Sequence, residues 1–270
     1  MKILNYFTLA FAATFLFSCG NSGQQSAETE TTETEAVNTA STEAQENTLS
    51  SDEQQNGWKL LFDGNSVDHW RGVHKENFPE KGWYVEDGML VVEEASGAES
   101  GNGGDIVTLD EYTDFEFVVD FKLTEGANSG IKYYVTEQYS SDKSAIGLEY
   151  QVLDDDVHPD AKKGNNGPGT RTVSSLYDLI AAPQSKPINP VGEWNHARIV
   201  SKDGQVEHWL NGEKVLEYDR FSEEFKEKIN NSKYKDWDGF GVWESGHILL
   251  QDHGNQVFYK NIKVRELPAS

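Results

Sequence analysis

From Gly57 to Val264 the chain is a succession of short apolar runs, each closed by residues that favour tight turns. Trp83-Tyr84-Val85 and Met89-Leu90-Val91-Val92 flank Glu86-Asp87-Gly88, and Gln205–Leu210 and Glu213–Tyr218 flank Asn211-Gly212. Asp-Gly and Asn-Gly tolerate the left-handed backbone angles of a tight hairpin, so both pairs are expected to be antiparallel hairpins. Phe115–Leu123, Gly130–Val135, Gly147–Leu153, Ser175–Leu179, Asn195–Val200, Gly246–His253 and Val257–Val264 read as further strands. Only Ser222–Ser232 has helical spacing, with Phe221, Phe225 and Ile229 four residues apart. Many short strands and one short accessory helix imply an all-β fold, a β-sandwich of the jelly-roll kind, in one domain over residues 57–267.

The residues before Gly57 have another character. Lys2, an apolar run from Tyr6 to Phe17 and then Ser18-Cys19-Gly20 have the layout of a signal peptide with a lipobox over residues 1–19. Cys19 is the sole cysteine, so it has no partner for an intramolecular disulfide and suits lipid attachment. The apolar run is short for a membrane-spanning helix, which leaves a lipid anchor as the expected membrane link. Residues 20–56 are Ser, Thr, Glu, Gln, Asn and Ala without an aromatic side chain, and read as a disordered acidic tether. Those leading residues carry eight acidic groups of a chain whose net charge is −23, and residues 57–270 are still strongly acidic. Such a surface argues against nucleic acid, whose phosphates need Lys and Arg.

Chemistry concentrates in Gly147-Leu148-Glu149-Tyr150-Gln151-Val152-Leu153-Asp154. Alternation along a strand puts Glu149 and Gln151 on one face and Leu148, Tyr150 and Val152 on the other, with Asp154 just beyond. Glu149-x-Gln151-x-x-Asp154 loosely matches the spacing by which retaining glycosidases hold two carboxylates, with an amide in the middle place. The same rule puts Gln251 and His253 on the side of Leu249, and Leu250 and Asp252 on the other. Asn128-Ser129-Gly130 leads into a strand carrying Lys132, whose ammonium can bind an oxyanion or bias a neighbouring carboxylate. Arg171, at the end of a Gly-rich loop from Asp154, offers a cationic fork. The Asp155-Asp156 run lacks an EF-hand pattern, and no metal or cofactor is assigned. Of seven tryptophans, Trp243, between glycines and close before the His253 strand, is the expected sugar-stacking residue.

Eight ordered motifs carry a family resemblance. They are Leu61-Phe62-Asp63-Gly64 with Trp70, the Trp83–Leu90 hairpin, Asn128-Ser129-Gly130-Ile131, Gly147–Asp154, Gly192-Glu193-Trp194-Asn195, Trp209-Leu210-Asn211-Gly212, Leu250-Gln251-Asp252-His253-Gly254 and Phe258-Tyr259-Lys260-Asn261-Ile262. Together they resemble the 3-keto-disaccharide hydrolase domain family (DUF1080). The resemblance implies a concanavalin-like jelly roll and cleavage of glycosides already oxidised at C3. It also implies an oxidised di- or oligosaccharide as partner, an upstream sugar 3-dehydrogenase, and a lipid-anchored place on the bacterial cell envelope. In such chemistry a C3 carbonyl acidifies the C2 proton, so one base starts an elimination that expels the C1 substituent. Glu149 or His253 would be the base and the other would assist the leaving group. Lys132, Gln151 and Gln251 would bind the C3 carbonyl or enolate, with Asn128, Asp154, Arg171, Trp243 and Asp252 as further substrate contacts. Two alternatives stay open: a lectin-like carbohydrate-binding module, and a retaining glucanase using Glu149 and Asp154.

Overall fold

The computed structural model describes residues 45–99, 101–141 and 144–268. The lipobox with Cys19, and the tether up to residue 44, lie outside the described residues. In chain order the elements begin with helix α1 (Ser51–Gln55) and strands β1 (Lys59–Leu60), β2 (Trp70–Gly72), β3 (Trp83–Glu86), β4 (Met89–Val92) and β5 (Ile106–Thr108). Long strands come next: β6 (Phe115–Leu123), β7 (Asn128–Ser141), β8 (Ser144–Leu153) and β9 (Trp194–Lys202). The chain closes with β10 (Gln205–Leu210), β11 (Glu213–Asp219), helix α2 (Glu223–Asn230), β12 (His247–Leu250) and β13 (Val257–Glu266).

The strands form two antiparallel sheets, the all-β sandwich expected. The larger runs β11-β10-β9-β6-β13-β4-β3 with β1 on β13, and the smaller runs β2-β5-β12-β7-β8. Both Gly-containing hairpins form as expected: Asp87 and Gly88, and Asn211 and Gly212, all have positive φ, at 48°, 74°, 47° and 86°. Helix α2 is also present, with the Ser222 side chain accepting from the Phe225 amide. Phe115, Phe117, Val119 and Phe121 of β6 enter a core shared with Ile131, Tyr133, Tyr150 and Leu250 of the smaller sheet. Each such buried side chain is worth about 1.5–3 kcal/mol of burial. With the inner face filled this way, the alternate residues of β7 and β8 must stand on the outer face.

A polar spine crosses the core beneath that face. His208 Nδ1 donates to the Ser174 carbonyl at 3.0 Å, which leaves Nε2 to accept from the Tyr133 hydroxyl at 2.8 Å. Burial pushes the His208 pKa down to about 4, so the ring is neutral. Ser174 N in turn donates to the Gln151 carbonyl, so the spine supports β8 from the larger sheet. The segment read as strand Ser175–Leu179 is instead a hook along β8. Leu176 bridges Tyr150 and Ile180, and positive φ at Ser174 (61°) and Asp178 (64°) prevents an extended run.

The tether reading does not hold for its last residues. Asn47 is buried and trades hydrogen bonds with Asn261: its amide donates to Asn261 Oδ1 at 2.6 Å and its Oδ1 accepts from the Asn261 amide at 2.8 Å. Its Nδ2 reaches the Gly88 carbonyl at 2.9 Å, and Glu53 pairs with Lys263 at 2.7 Å. Helix α1 begins with a reciprocal capping box between Ser50 and Glu53. A polar composition can therefore dock by hydrogen bonds without burying apolar surface. A chain starting at Gly57 is expected to be about 2–4 kcal/mol less stable in urea unfolding than one starting at Gln45, from about 1 kcal/mol per lost hydrogen bond. Equal stabilities would show that the segment is a passenger.

Candidate active site

The site is built on the outer face of the smaller sheet, where three strands bring their polar positions into register. Lys132 of β7 lies opposite Glu149 of β8, and Gly130 opposite Gln151. On the other side of β7 the ladder runs on past β12, with the Gln251 amide donating to the Gly130 carbonyl. Residues opposite one another in an antiparallel pair share a face, so Lys132, Glu149, Gln151 and Gln251 converge around Gly130. Gly130 is small for a physical reason. A Cβ there would stand 2.5 Å from Glu149 Oε1 and 3.2 Å from Gln251 Oε1, so the bare backbone is the seat over which the Glu149 carboxylate lies.

These groups open onto a cavity of about 150 Å³. Its walls are Asn128 and Lys132 of β7, Ile146, Gly147, Glu149 and Gln151 of β8, and Gln251 and His253 just past the end of β12, closed by Tyr177, Lys233, Tyr234 and, exposed at the mouth, Glu99. Three wall residues carry buried side-chain atoms with no hydrogen-bond partner among the described residues: Asn128 Oδ1, Gln151 Nε2 and His253 Nδ1. Gln151 Oε1 accepts from the Val152 amide at 3.0 Å, which fixes the amide orientation and turns Nε2 away from the backbone. An unpaired buried polar group costs about 1–3 kcal/mol, so three on one cavity form a set of donors and acceptors kept for a polar ligand.

The charges are graded by burial. Glu149 is 7% exposed, and loss of solvent raises its pKa against the pull of Lys132, Lys233 and His253. Burial pulls Lys132 down, but the carboxylates of Asp105 and Glu149 outweigh it and hold the ammonium. Lys132 Nζ donates to the Ala145 carbonyl at 3.2 Å and stands 3.5 Å from Asp105 Oδ2. Burial pushes Asp105 up to about 6 in spite of that neighbour. Lys233 leans its ammonium over the rings of Tyr177 and Tyr234, at 4.7 and 5.1 Å from their centroids. Desolvation around that ammonium draws its pKa below the usual lysine value, with Glu149 opposing. The residue as a whole is solvent-exposed, so this pull is weaker than on a sealed lysine. The chemical outcome is a carboxylate of raised proton affinity beside a fixed ammonium and unpaired amides, a pattern suited to taking a proton from carbon next to a polarised carbonyl.

Lys132, Glu149, Gln151, Gln251, His253 and Asn128 thus line one cavity; alternation had paired only Glu149 with Gln151 and Gln251 with His253. The other expected contacts are not on this cavity. Asp154 gives its oxygens to the amides of Gly126, Asp156 and Val157, so it closes a loop and forms no carboxylate pair with Glu149. Asp155 accepts from the Val173 amide and pairs with Lys186, so the acidic run serves donors of the protein itself. Asp252, on the opposite side of its strand from His253, accepts from the amides of Gly104 and Gly254. Arg171 bridges Asp160 and Asp178, each at 2.9 Å. Trp243 stacks edge-on against Phe240, which lies flat on Tyr234, so it backs the cavity wall two rings away. Trp70 and Trp83 are core residues, while Trp194 and Trp209 lie under Lys260 and Arg198.

Sequence reading missed Tyr177, Lys233, Tyr234 and Asp105, which reach the site from loops and from the end of another strand. It also missed His158, whose ring meets that of His253 edge-on at 6.1 Å. His158 Nδ1 accepts from the Asp160 amide at 3.2 Å, which in the neutral ring leaves the proton on Nε2.

The chain was compared with known proteins. The family profile described as "3-keto-alpha-glucoside-1,2-lyase-like domain" matches residues 57–265. A protein of Bacteroides thetaiotaomicron named 3-keto-disaccharide hydrolase is 37% identical over 233 residues, covering 78% of this chain and 79% of the relative. A crystal structure from Parabacteroides distasonis, provisionally described as a glycosyl hydrolase, is 34% identical with a TM-score of 0.72, covering 83% of this chain and all of that one. A second structure of the same description and organism is 29% identical with a TM-score of 0.56, covering 78% of this chain and 99% of its own. A match over most of the folded residues, beside a relative of this identity and coverage, shows that the chain belongs to the family of 3-keto-alpha-glucoside-1,2-lyase-like (3-keto-disaccharide hydrolase) domains.

Proposed function

We propose that this protein is an enzyme of carbohydrate breakdown that cleaves 3-keto-glycosides by removing the C2 proton and eliminating the C1 substituent. The observation that carries this reading is the cavity with unpaired Asn128 Oδ1, Gln151 Nε2 and His253 Nδ1 around a single deeply buried carboxylate, Glu149. A sugar supplies hydroxyls for those atoms, and one internal base is what the elimination requires. A retaining glycosidase needs two carboxyls about 5 Å apart, and Asp154 is spent on backbone amides.

In the proposed reaction Glu149 takes the C2 proton, and the C–H electron pair becomes the C2–C3 enolate. Lys132, Gln151 and Gln251 stabilise the charge gathering on the C3 oxygen. Collapse of the enolate breaks the C1–oxygen bond, and the departing oxygen receives a proton from His253. Addition of water across the resulting C1–C2 double bond completes a net hydrolysis. The proposal includes attachment through a lipid on Cys19 to the cell envelope, where an enzyme oxidising sugars at C3 supplies the substrate.

Incubation with a 3-keto-glucoside and the unoxidised glucoside side by side tests this, with products identified by mass and NMR. Release of the C1 alcohol from the keto sugar only, with the enone or its hydrate, is the expected result. Release from the unoxidised glucoside would overturn it, and sugar binding without any release would favour a carbohydrate-binding module.

A further inference from the structure

We propose that Asp105 is a positioning residue that binds the two halves of the site together and holds the Lys132 ammonium toward Glu149. The inference rests on the elimination reading above. Asp105 immediately precedes β5, is 1% exposed, and does not line the cavity.

Its two oxygens face different elements. Oδ1 accepts from the Asp252 amide at 2.9 Å, in the peptide that joins Gln251 to Asp252, the residue before His253. Asp252 answers through its own carboxylate, whose Oδ2 accepts from the Gly104 amide at 3.0 Å, the residue just before Asp105. This reciprocal clasp fixes the strand end from which Gln251 and His253 enter the cavity. Among the described residues Oδ2 of Asp105 has no well-formed hydrogen bond, and it faces Lys132 Nζ as an ion pair at 3.5 Å, on the next strand but one. A buried carboxylate oxygen is normally hydrogen-bonded, so one aimed at an ammonium that also faces Glu149 acts by charge. Lys132 is then shared by two carboxylates, one sealed behind it and one open to the cavity. Asp105 keeps the ammonium charged and in place, while Glu149 remains able to take a proton. The charged or titratable groups bearing on Asp105 include Lys132, Asp252, Glu99 and Tyr259, and those bearing on Glu149 include Lys132, Lys233, His253, Glu99, Tyr177, Tyr234 and Tyr259.

Asp105→Asn separates the two duties. The amide oxygen can still accept from Asp252, so the clasp persists, but the charge facing Lys132 is gone. The expected result is a fall in kcat of roughly 10- to 100-fold on a 3-keto-glucoside, the usual effect of removing a supporting partner, with KM within about threefold. The acidic limb of kcat/KM moves to lower pH, because the Lys132 charge then falls on Glu149 without a competitor. Asp105→Ala, which loses the clasp as well, is expected to lose activity further and to melt earlier. The charge effect is also measurable without turnover: the Glu149 carboxyl carbon, assigned by its loss in Glu149→Gln, titrates at lower pH by NMR in Asp105→Asn. If Asp105→Asn turns over within about threefold of the parent and neither the limb nor the Glu149 titration moves, the charge role is overturned and the elimination reading stands. If the parent releases nothing from the keto sugar, the elimination reading fails, and the Glu149 titration still decides whether Asp105 acts on Lys132 and Glu149.

Discussion

Glu149→Gln is expected to lower turnover of a 3-keto-glucoside by about 10²–10⁴-fold, the usual contribution of a positioned general base. The amide fits the seat above Gly130 and keeps an oxygen toward Lys132, so folding and sugar binding are expected to survive. A measured loss below about tenfold would remove Glu149 from the base role and pass it to His253. The pH dependence comes from burial. Glu149 must be ionised to accept the proton, and burial raises its pKa above 4.5. Activity is therefore expected to rise with pH through a limb above 4.5, and Glu149→Gln removes that limb together with the turnover. Stability runs the opposite way. A carboxyl whose folded pKa lies above its unfolded value favours the protonated fold, so its contribution is present at acid pH and lost as pH rises through the folded value. For Asp105 that loss falls between about 4 and about 6. The fold thus gives up stability to hold ionised carboxylates where the chemistry needs them.

Arg171→Met is expected to cost about 3–5 kcal/mol of stability, the penalty for removing one partner from a buried ion pair. Its guanidinium joins Asp160 in a 3₁₀ turn, Pro159–Lys162, to Asp178 in the hook along β8. Asp178 is fully buried, so the substitution leaves a carboxylate with only Asn165 as side-chain donor among the described residues. Asp160 also accepts from the Tyr177 hydroxyl at 2.9 Å, and Arg171 covers the Tyr177 ring, so the same pair fixes a wall of the cavity. In a thermal melt the loss corresponds to a fall on the order of 10 °C for a domain of this size. An Arg171 that gripped substrate would give an unchanged melting temperature and a raised KM, and that result would restore the substrate role that its sequence context suggested.

How far the site could be read from the chain depends on the range of the interaction involved. Alternation is a property of the strand backbone itself, so Glu149 with Gln151, and Gln251 with His253, fall on common faces whatever their neighbours are. Hairpins are equally local, and Asn211-Gly212 turns as its residue types require. Charged side chains are different. Asp154, Asp252 and Arg171 have the chemistry of ligand-binding groups, and although one oxygen of each aspartate serves amides two or three residues on, the partners that complete their occupancy are not given by the neighbouring sequence. Asp154 takes the amide of Gly126, 28 residues away beyond the whole β7–β8 pair, and Asp252 takes that of Gly104, 148 residues away. Residues 45–56 look like tether for the related reason that their partners, Gly88, Asn261 and Lys263, are remote.

The sequence by itself determined the class of fold, the family, and the strand face on which Lys132, Glu149, Gln151, Gln251 and His253 stand, because each comes from turn chemistry, motif order or a two-residue repeat. Tertiary structure decided that β12 lies between β5 and β7, and hence that Asp105, Lys132 and the Gln251–His253 end share one site. It also decided that Tyr177, Lys233 and Tyr234 close it, and that Arg171 and Asp154 are spent holding loops. The physical reason is that strand order and the pairing of buried charges depend on packing between segments far apart in the chain, where no local pattern reports them.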